Sequence, residues 1–315
     1  MPIDVTPIRD SQVKLTMDGT EYLGIHIASA KNSHAAKQFK DNTQNHGVIV
    51  GESEIGFWDT RGLIEHDGEI YLYGPFMEGR TMSEILDHDA DNALTSLHQL
   101  CRAYLALKKQ SLELPRFQAN GILFLSSGEL LFFPSAIMQR IRSTQIESER
   151  LQTFEIYNNA ELENEASLSF SLGVLCYRLF IGKPPFEGES EEEIHNRMRE
   201  QKLIEPKLLV PEIKAGVSKD VTASLGKSKD APLTLEEWEE RLRAWTDDGI
   251  SEEITVLEKE SLLENGRKQS QRTESTYRRN QFFYSNSRII VAIGIVVLLV
   301  GSVAGSILKN VLAPR

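Results

Sequence analysis

The sequence is poor in cysteine and has no excess of basic residues. Cys101 and Cys176 are the two cysteines of the 315-residue chain, and each lies in an apolar pattern with helical spacing. This excludes a disulfide-rich secreted protein and predicts that both are small core residues. A formal net charge of −11 argues against a nucleic-acid-binding surface, because phosphate contacts need clustered lysine and arginine. No cluster of cysteine and histidine has metal-ligand spacing, so the sequence predicts no metal site.

Aspartate is missing from the stretch between Arg116 and Ala136, RFQANGILFLSSGELLFFPSA. Its apolar runs GILFL and ELLFFP flank the sequence SSG, which predicts a β-hairpin with a glycine-containing turn. Asp18-Gly19 and Asp67-Gly68 predict two more hairpins near the N-terminus, and a short helix is expected from Ser33. Further along, SLSFSLGVLCYRLFIG is apolar on nearly all sides and predicts a buried helix. Strands dominate the first part and helices the second, so the expected fold class is α+β.

One long run carries no charge. The residues from Ile289 to Leu308, IIVAIGIVVLLVGSVAGSIL, number about 20 and match the roughly 30 Å hydrocarbon core of a bilayer at 1.5 Å per residue. They predict a single transmembrane helix and a tail-anchored protein. We therefore expect a folded domain over residues 1–247, a charged juxtamembrane linker over 248–288, the span over 289–308 and a short extracytoplasmic tail over 309–315.

The basic residues predict the orientation of this span. Six of them precede it, against the single acid Glu274 between Gly266 and Arg288: Arg267, Lys268, Arg272, Arg278, Arg279 and Arg288. The positive-inside bias predicts that the N-terminal domain is cytoplasmic. The bacterial inner membrane is favoured, and an organelle membrane is the alternative.

Small residues mark one side of the predicted span. Gly301 and Gly305 form a Gly-x-x-x-Gly pattern, which lets two helices approach closely in lipid. Homodimerisation through this side is one interpretation. Chance is the other, because glycine is common in membrane helices.

Three stretches, in this order, resemble protein kinases. HDGEIYLYGPFMEGRTMSEIL is similar to the strands and hinge where the two kinase lobes join, and NGILFLSSGELLFF is similar to the hairpin after the catalytic loop. SLGVLCYRLFIGKPPFEGESEEEI resembles the central buried helix of the C-lobe and the loop after it. The likeness covers about residues 13–245. It implies a two-lobed kinase-like fold, with a small β-rich N-lobe and a helical C-lobe, whereas an unrelated α+β domain is the alternative.

The charged residues of kinases are absent at the matching positions. By this resemblance, His26 replaces the phosphate-pairing lysine, and Arg116 replaces the aspartate that acts as catalytic base. Gly121 and Pro134 replace the asparagine and the aspartate that bind metal, and the glycine-rich loop is missing. The resemblance therefore implies a pseudokinase with no catalytic residue and no cofactor. The predicted function is that of a membrane-anchored scaffold or interaction module in signalling, whose protein partner the sequence does not identify.

Two other functions stay open. A divergent kinase-like enzyme would need relocated acids such as Glu129 or Asp59, and a sensor would bind a nucleotide or another ligand in the degenerate cleft. Arg116 has two interpretations, contact with an acidic partner or a surface ion pair. Three apolar residues are expected to fill the vacated nucleotide cleft: Phe132, Phe133 and Ile137.

Overall fold

The computed structural model describes residues 3–9, 11–29, 46–52 and 54–285. Strands occupy most of the first part of the chain. They are β1 (Ile3–Arg9), β2 (Gln12–Met17), β3 (Thr20–Ser29), β4 (His46–Val50), β5 (Ile55–Asp59), β6 (Gly62–His66), β7 (Glu69–Pro75), β8 (Gly79–Arg80), β9 (Ile122–Leu125) and β10 (Leu130–Phe132).

Helices dominate the rest of the described chain. They are α1 (Met82–His88), α2 (Ala90–Lys109), α3 (Ser135–Thr144), α4 (Glu147–Thr153), α5 (Asn164–Ile181), α6 (Glu191–Glu200), α7 (Pro206–Leu209), α8 (Ala215–Ser224), α9 (Leu235–Asp248) and α10 (Val256–Ser285), with a 3₁₀ turn at Glu155–Tyr157. The expected α+β class with a strand-rich first part is confirmed.

The N-terminal sheet is antiparallel, with the strand order β1-β2-β3-β7-β6. The predicted turns join its hairpins. Asp18 and Gly19 have φ values of 49° and 77°, and Asp67 and Gly68 have 49° and 78°. Aspartate and glycine tolerate this left-handed conformation, which matches the twist of the paired strands.

A second sheet has the order β5-β4-β10-β9-β8. At its centre is the predicted hairpin of β9 and β10, whose turn contains Gly128 at φ 90°. β4 pairs with β10 and extends this hairpin with a further strand pair, β4 and β5, which the sequence did not predict.

Helix α5 is the centre of the helical region. Its residues from Ser167 to Tyr177 are buried, as its all-round apolar pattern predicts. A chain of hydrogen bonds crosses this core: Trp238 Nε1 donates to Ser169 Oγ at 3.0 Å, and Ser169 Oγ donates to the Leu233 carbonyl at 2.6 Å. Cys101 and Cys176 are both buried, which confirms their core role.

Helix α10 differs from the flexible linker expected between the domain and the predicted span. Its charges pair one turn apart, as in Lys268–Glu264 at 2.5 Å and Arg278–Glu274 at 2.9 Å, and such pairs support a helix that has few apolar residues. The low apolar content suggested a linker, and this local pairing is the reason that the segment is helical.

Helix α10 also packs against the helical region through its backbone. A Cβ atom on Gly266 would lie 2.2 Å from the carbonyl oxygen of Leu208 in α7, so the two backbones are in direct contact. Gln269 Nε2 donates to the Leu203 carbonyl at 3.2 Å, and the guanidinium of Arg197 lies 4.4 Å from the centre of the Tyr277 ring. The segment is therefore docked on the domain as far as Tyr277.

Among the described residues, no helix combines the length and the apolar character needed to cross a bilayer. The predicted span, with Gly301 and Gly305, lies outside the described residues, as does the helix expected from Ser33. The division of the chain into segments stays a prediction.

We predict that Gly266→Ala loosens α10. The added methyl group overlaps the Leu208 carbonyl, so the helix must move away, at a cost of about 1–3 kcal/mol of docking free energy. Hydrogen exchange measured by mass spectrometry is expected to be about 5- to 150-fold faster for the amides of residues 266–277, since 1.4 kcal/mol corresponds to a factor of ten.

Gly216→Ala in α8 is the matched control, because its Cβ would meet no atom within 4 Å. That change is expected to leave exchange in α10 unchanged and to stabilise α8 by about 0.5–1 kcal/mol. Exchange in Gly266→Ala at the rate of the unmodified chain would contradict the backbone contact.

Candidate functional site

The loop between α2 and β9 carries two of the four degenerate kinase positions. Phe117 is 1% exposed and fixes this loop in the helical core. Its neighbour Arg116 donates from Nη2 to the Leu162 carbonyl at 2.8 Å and thereby connects the loop to the segment before α5. Arg116 thus makes a backbone contact, where the sequence left an acidic partner or a surface ion pair open.

Gly121 and Pro134 hold the base of the β9–β10 hairpin. The Gly121 carbonyl accepts from the Phe133 amide at 3.1 Å, and the Pro134 carbonyl accepts from the amides of Ile137 and Met138, both at 3.0 Å. Pro134 therefore starts α3 directly after the hairpin, at the position where a kinase would present a metal-binding aspartate.

Arg116 and Gly121 line one cavity of about 820 Å³ next to α3. Other polar side chains there are those of Glu113, Gln118, Ser135, Gln139, Arg142, Glu163 and Asn164. The cavity combines two arginines with two glutamates that come from the α2–β9 loop and the start of α5. Its walls also include Phe133 and Met138, so the apolar layer described next closes one side of it.

An apolar layer joins the N-terminal sheet to the second sheet and α3. We call it the inter-lobe layer. Its buried members are Leu23, Ile25, Ile27 and Ala28 of β3, Leu72 of β7, Trp58 of β5, Leu123, Leu125, Leu131 and Phe133 of the hairpin, and Ile137, Met138 and Ile141 of α3. Since α3 contacts β3 directly, the space between the two lobes is packed along this surface.

Trp58 and Phe133 are the largest side chains of the inter-lobe layer. Their rings meet edge to face with centroids 5.6 Å apart, and Trp58 Nε1 donates to the Pro75 carbonyl at 2.9 Å. The indole lies against Gly74, where a Cβ would be 2.6 Å from the ring. Phe133 and Ile137 thus lie where the sequence predicted cleft-filling residues, whereas the Phe132 ring packs 5.3 Å from Tyr104 in the helical core.

His26 lies apart from this layer. Ile25 and Ile27 on either side of it face the layer, and because side chains alternate along a strand, His26 faces the opposite side of the sheet. Its Nε2 is 2.6 Å from Glu69 Oε2, and its ring is 5.6 Å from that of Tyr71. Burial, together with Glu69 and Asp67, raises the pKa of the Tyr71 phenol. The sequence predicted no partner for His26, because Glu69 lies 43 residues further along the chain.

The acids considered for a relocated active site do not line the cavity. Glu129 accepts from Ser127 Oγ at 2.9 Å in the exposed hairpin turn. Asp59 Oδ1 lies 2.7 Å from His46 Nδ1 at the end of an edge strand, and its side chain is 69% exposed. Neither contact brings these carboxylates to Arg116 or Gly121.

Comparison with known proteins gives the following picture. No family model matches the chain. The chain is 24% identical over 182 residues to a probable serine/threonine-protein kinase PknB of Corynebacterium glutamicum, an alignment that covers 53% of this chain and 28% of that protein. A crystal structure of Rad53 in complex with AMP-PNP is similar with a TM-score of 0.48 and 14% identity, covering 78% of this chain and 64% of that one.

The aligned part of this chain thus spans less than a third of the length of that PknB protein. This similarity agrees with the resemblance stated above, as do the strand-rich first part of the chain and the helix-rich second part. The chain has a protein-kinase-like fold.

We predict that Phe133→Ala lowers the free energy of unfolding by about 3–5 kcal/mol, because a buried aromatic ring of the inter-lobe layer is lost and leaves a cavity. Urea denaturation of the detergent-solubilised chain, followed by tryptophan fluorescence, measures this change. Phe57→Ala is the matched control: Phe57 is 61% exposed on β5, so a change within about 0.5 kcal/mol is expected. Equal effects of the two substitutions would contradict a packed inter-lobe layer.

Proposed function

We propose that this protein is a catalytically inactive, membrane-anchored pseudokinase that acts as a scaffold or interaction module on the cytoplasmic face of the membrane. The observation that carries the proposal is the inter-lobe layer. Apolar side chains of β3, the hairpin and α3 pack together where the two lobes of a kinase-like fold meet.

Phosphoryl transfer depends on groups that stabilise a highly anionic transition state. In this chain Phe133 and Pro134 come directly after the hairpin. Helix α3 begins at the next residue, and no carboxylate that could bind a metal stands at this position. On β3, the residues facing the inter-lobe layer are Ile25 and Ile27, and these cannot pair with a phosphate. The apolar packing that stabilises the fold therefore leaves no charged group at these positions for catalysis.

Membrane attachment is the second part of the proposal. Helix α10 continues beyond its docked contacts at Gly266 and Tyr277 as far as Ser285, four residues before the predicted span at Ile289. The arginines that precede the span favour a cytoplasmic domain. A domain held by a docked helix close to a bilayer is suited to assembling other proteins there.

One observation favours an alternative, the ligand sensor. The cavity of about 820 Å³ beside α3 includes Arg116 and Arg142, which could pair with an anionic ligand. The carboxylates of Glu113 and Glu163 in the same wall repel a strongly anionic ligand such as a nucleoside triphosphate. For this reason we rank the sensor function second.

We predict that millimolar ATP with Mg²⁺ leaves the thermal unfolding midpoint of the full chain unchanged. A ligand that binds only the folded state raises the midpoint by mass action, and at 100 times its Kd the gain is about 2.7 kcal/mol. Scanning fluorimetry in detergent measures the midpoint, with a catalytically active kinase as the positive control.

A rise that requires Mg²⁺ would refute the non-catalytic assignment. A rise without Mg²⁺ that disappears in Arg116→Ala would favour the sensor.

We predict further that a chain ending at Ser285 leaves the membrane fraction, whereas the full chain resists alkaline carbonate extraction. The reason is that residues 289–308 supply the apolar length for a span. Gly301→Ile is the control, since it keeps the span apolar and is expected to stay in the membrane. Recovery of the full chain in the carbonate supernatant would refute the anchor.

The Gly301→Ile variant also tests the homodimer, because a bulky residue at the Gly-x-x-x-Gly face would reduce chemical crosslinking between copies.

A further inference from the structure

Three metal-ligating side chains meet on the helical region, away from the cavity described above. They are Glu155, Glu191 and His195, and one donor atom from each lies within 4.8 Å of the others. Glu191 is the first residue of α6 and His195 follows one turn later, so the two share a face of this helix. Glu155 comes from the 3₁₀ turn after α4 and faces them. All three donors are thus held by regular backbone.

The Glu155 carboxylate is buried with incomplete compensation of its charge. Its side chain is 4% exposed, and its ion-pair contacts are long: 3.7 Å from Oε1 to Arg150 Nε and 3.3 Å from Oε2 to His195 Nε2. Burial, and then the charge of Glu191, raise the pKa of Glu155, and the charges of Arg142, His195 and Arg150 act in the opposite direction. A buried carboxylate of this kind is favoured by a closer cation.

The imidazole of His195 provides a second, independent observation. Its Nε2 is buried and makes no hydrogen bond with any residue that the structure describes, although Glu155 Oε2 is only 3.3 Å away. The ring nitrogen is therefore not aligned for a hydrogen bond with this carboxylate. Arg150 Nε is also buried without a hydrogen bond to any described residue, while Arg150 Nη2 donates to Glu191 Oε2 at 3.1 Å. A buried ring nitrogen whose nearest carboxylate is not aligned for a hydrogen bond is unusual in a folded core.

The distance between two of the three donors suits a small divalent ion. Zinc binds imidazole nitrogen and carboxylate oxygen at about 2.0–2.2 Å, so neighbouring ligands of a tetrahedral site lie roughly 3.3–3.6 Å apart. The distance between His195 Nε2 and Glu155 Oε2 already falls at this value. A cavity of about 600 Å³ opens over Glu191 and His195, and it leaves room for a water molecule as a further ligand.

We propose that Glu155, Glu191 and His195 bind one divalent transition-metal ion, with Zn²⁺ as the best match. One imidazole and two carboxylates are a donor set that favours zinc or its neighbours over magnesium, which prefers oxygen ligands only. The ion links α6 to the 3₁₀ turn that follows α4. Arg150 competes with it for Glu191, so the affinity is expected in the micromolar range rather than tighter.

The test uses the full chain in detergent, without a histidine-containing tag and after dialysis against a chelator. Titration calorimetry with ZnCl₂ is expected to give one site per chain, and the unfolding midpoint is expected to rise with the zinc concentration. Mg²⁺ at the same concentration is expected to give neither effect. Binding of Co²⁺ is expected to produce visible d–d absorption whose intensity reports the coordination geometry.

His195→Gln and Glu191→Gln are the main variants, because both positions are partly exposed and the changes keep the side-chain volume. Each is expected to lower the zinc affinity at least tenfold and to abolish the rise in midpoint. Circular dichroism checks that the variants fold. Glu155→Gln is a further variant that removes the buried charge.

His98→Ala is the matched control. His98 Nε2 lies 3.1 Å from Glu239 Oε1, a similar pair that has no third donor grouped with it in the described chain. This variant is expected to bind zinc like the unmodified chain. The proposal is overturned by the absence of saturable zinc binding, by full binding in His195→Gln, or by loss of binding in His98→Ala.

Discussion

The edge-to-face contact of Trp58 and Phe133 is the interaction on which the arrangement of the two lobes depends. The indole is fixed by its hydrogen bond to Pro75 and by the space that Gly74 leaves, and Phe133 carries the packing onward to α3. Once this layer forms, β3 cannot move relative to the hairpin without exposing apolar surface to water. Lobes of a kinase-like fold that share such a core behave as one packed body, which suits a protein that presents a surface more than one that opens and closes around a substrate.

Three positions that the resemblance aligns with catalytic residues of kinases make structural contacts in this chain. Arg116 connects its loop to the Leu162 carbonyl, Gly121 accepts from Phe133, and Pro134 starts α3. Gly121 and Pro134 carry no charge that would have to be solvated or paired, and the charge of Arg116 is used in a hydrogen bond to the backbone. In the pseudokinase that we propose, these contacts and the packed inter-lobe layer are consistent parts of one arrangement.

Local patterns predicted the local structure well. The Asp-Gly turns, the hairpin around Gly128 and the buried helix α5 all follow from side-chain periodicity and turn chemistry, which act within a few residues. The side of β3 on which His26 lies, its pairing with Glu69, and the grouping of Glu155 with His195 depend on chain segments about 40 residues apart. The docking of α10 was missed for a related reason, because a glycine that permits contact with a distant carbonyl has no local signature.

The length of the docked helix α10 limits the distance between the folded domain and the predicted membrane span. From Arg278 to Ser285 it extends about 12 Å at 1.5 Å per residue, and the four residues to Ile289 add at most about 14 Å. In the membrane-anchored chain that we propose, the surface of α6 around Arg197 therefore stays within roughly 25 Å of the point where the bilayer begins. A large partner cannot fit beneath this surface, so binding partners must approach α6 from the side or belong to the membrane themselves. His195 lies on the same helix, so the ion that we infer would be held in this narrow zone between protein and lipid.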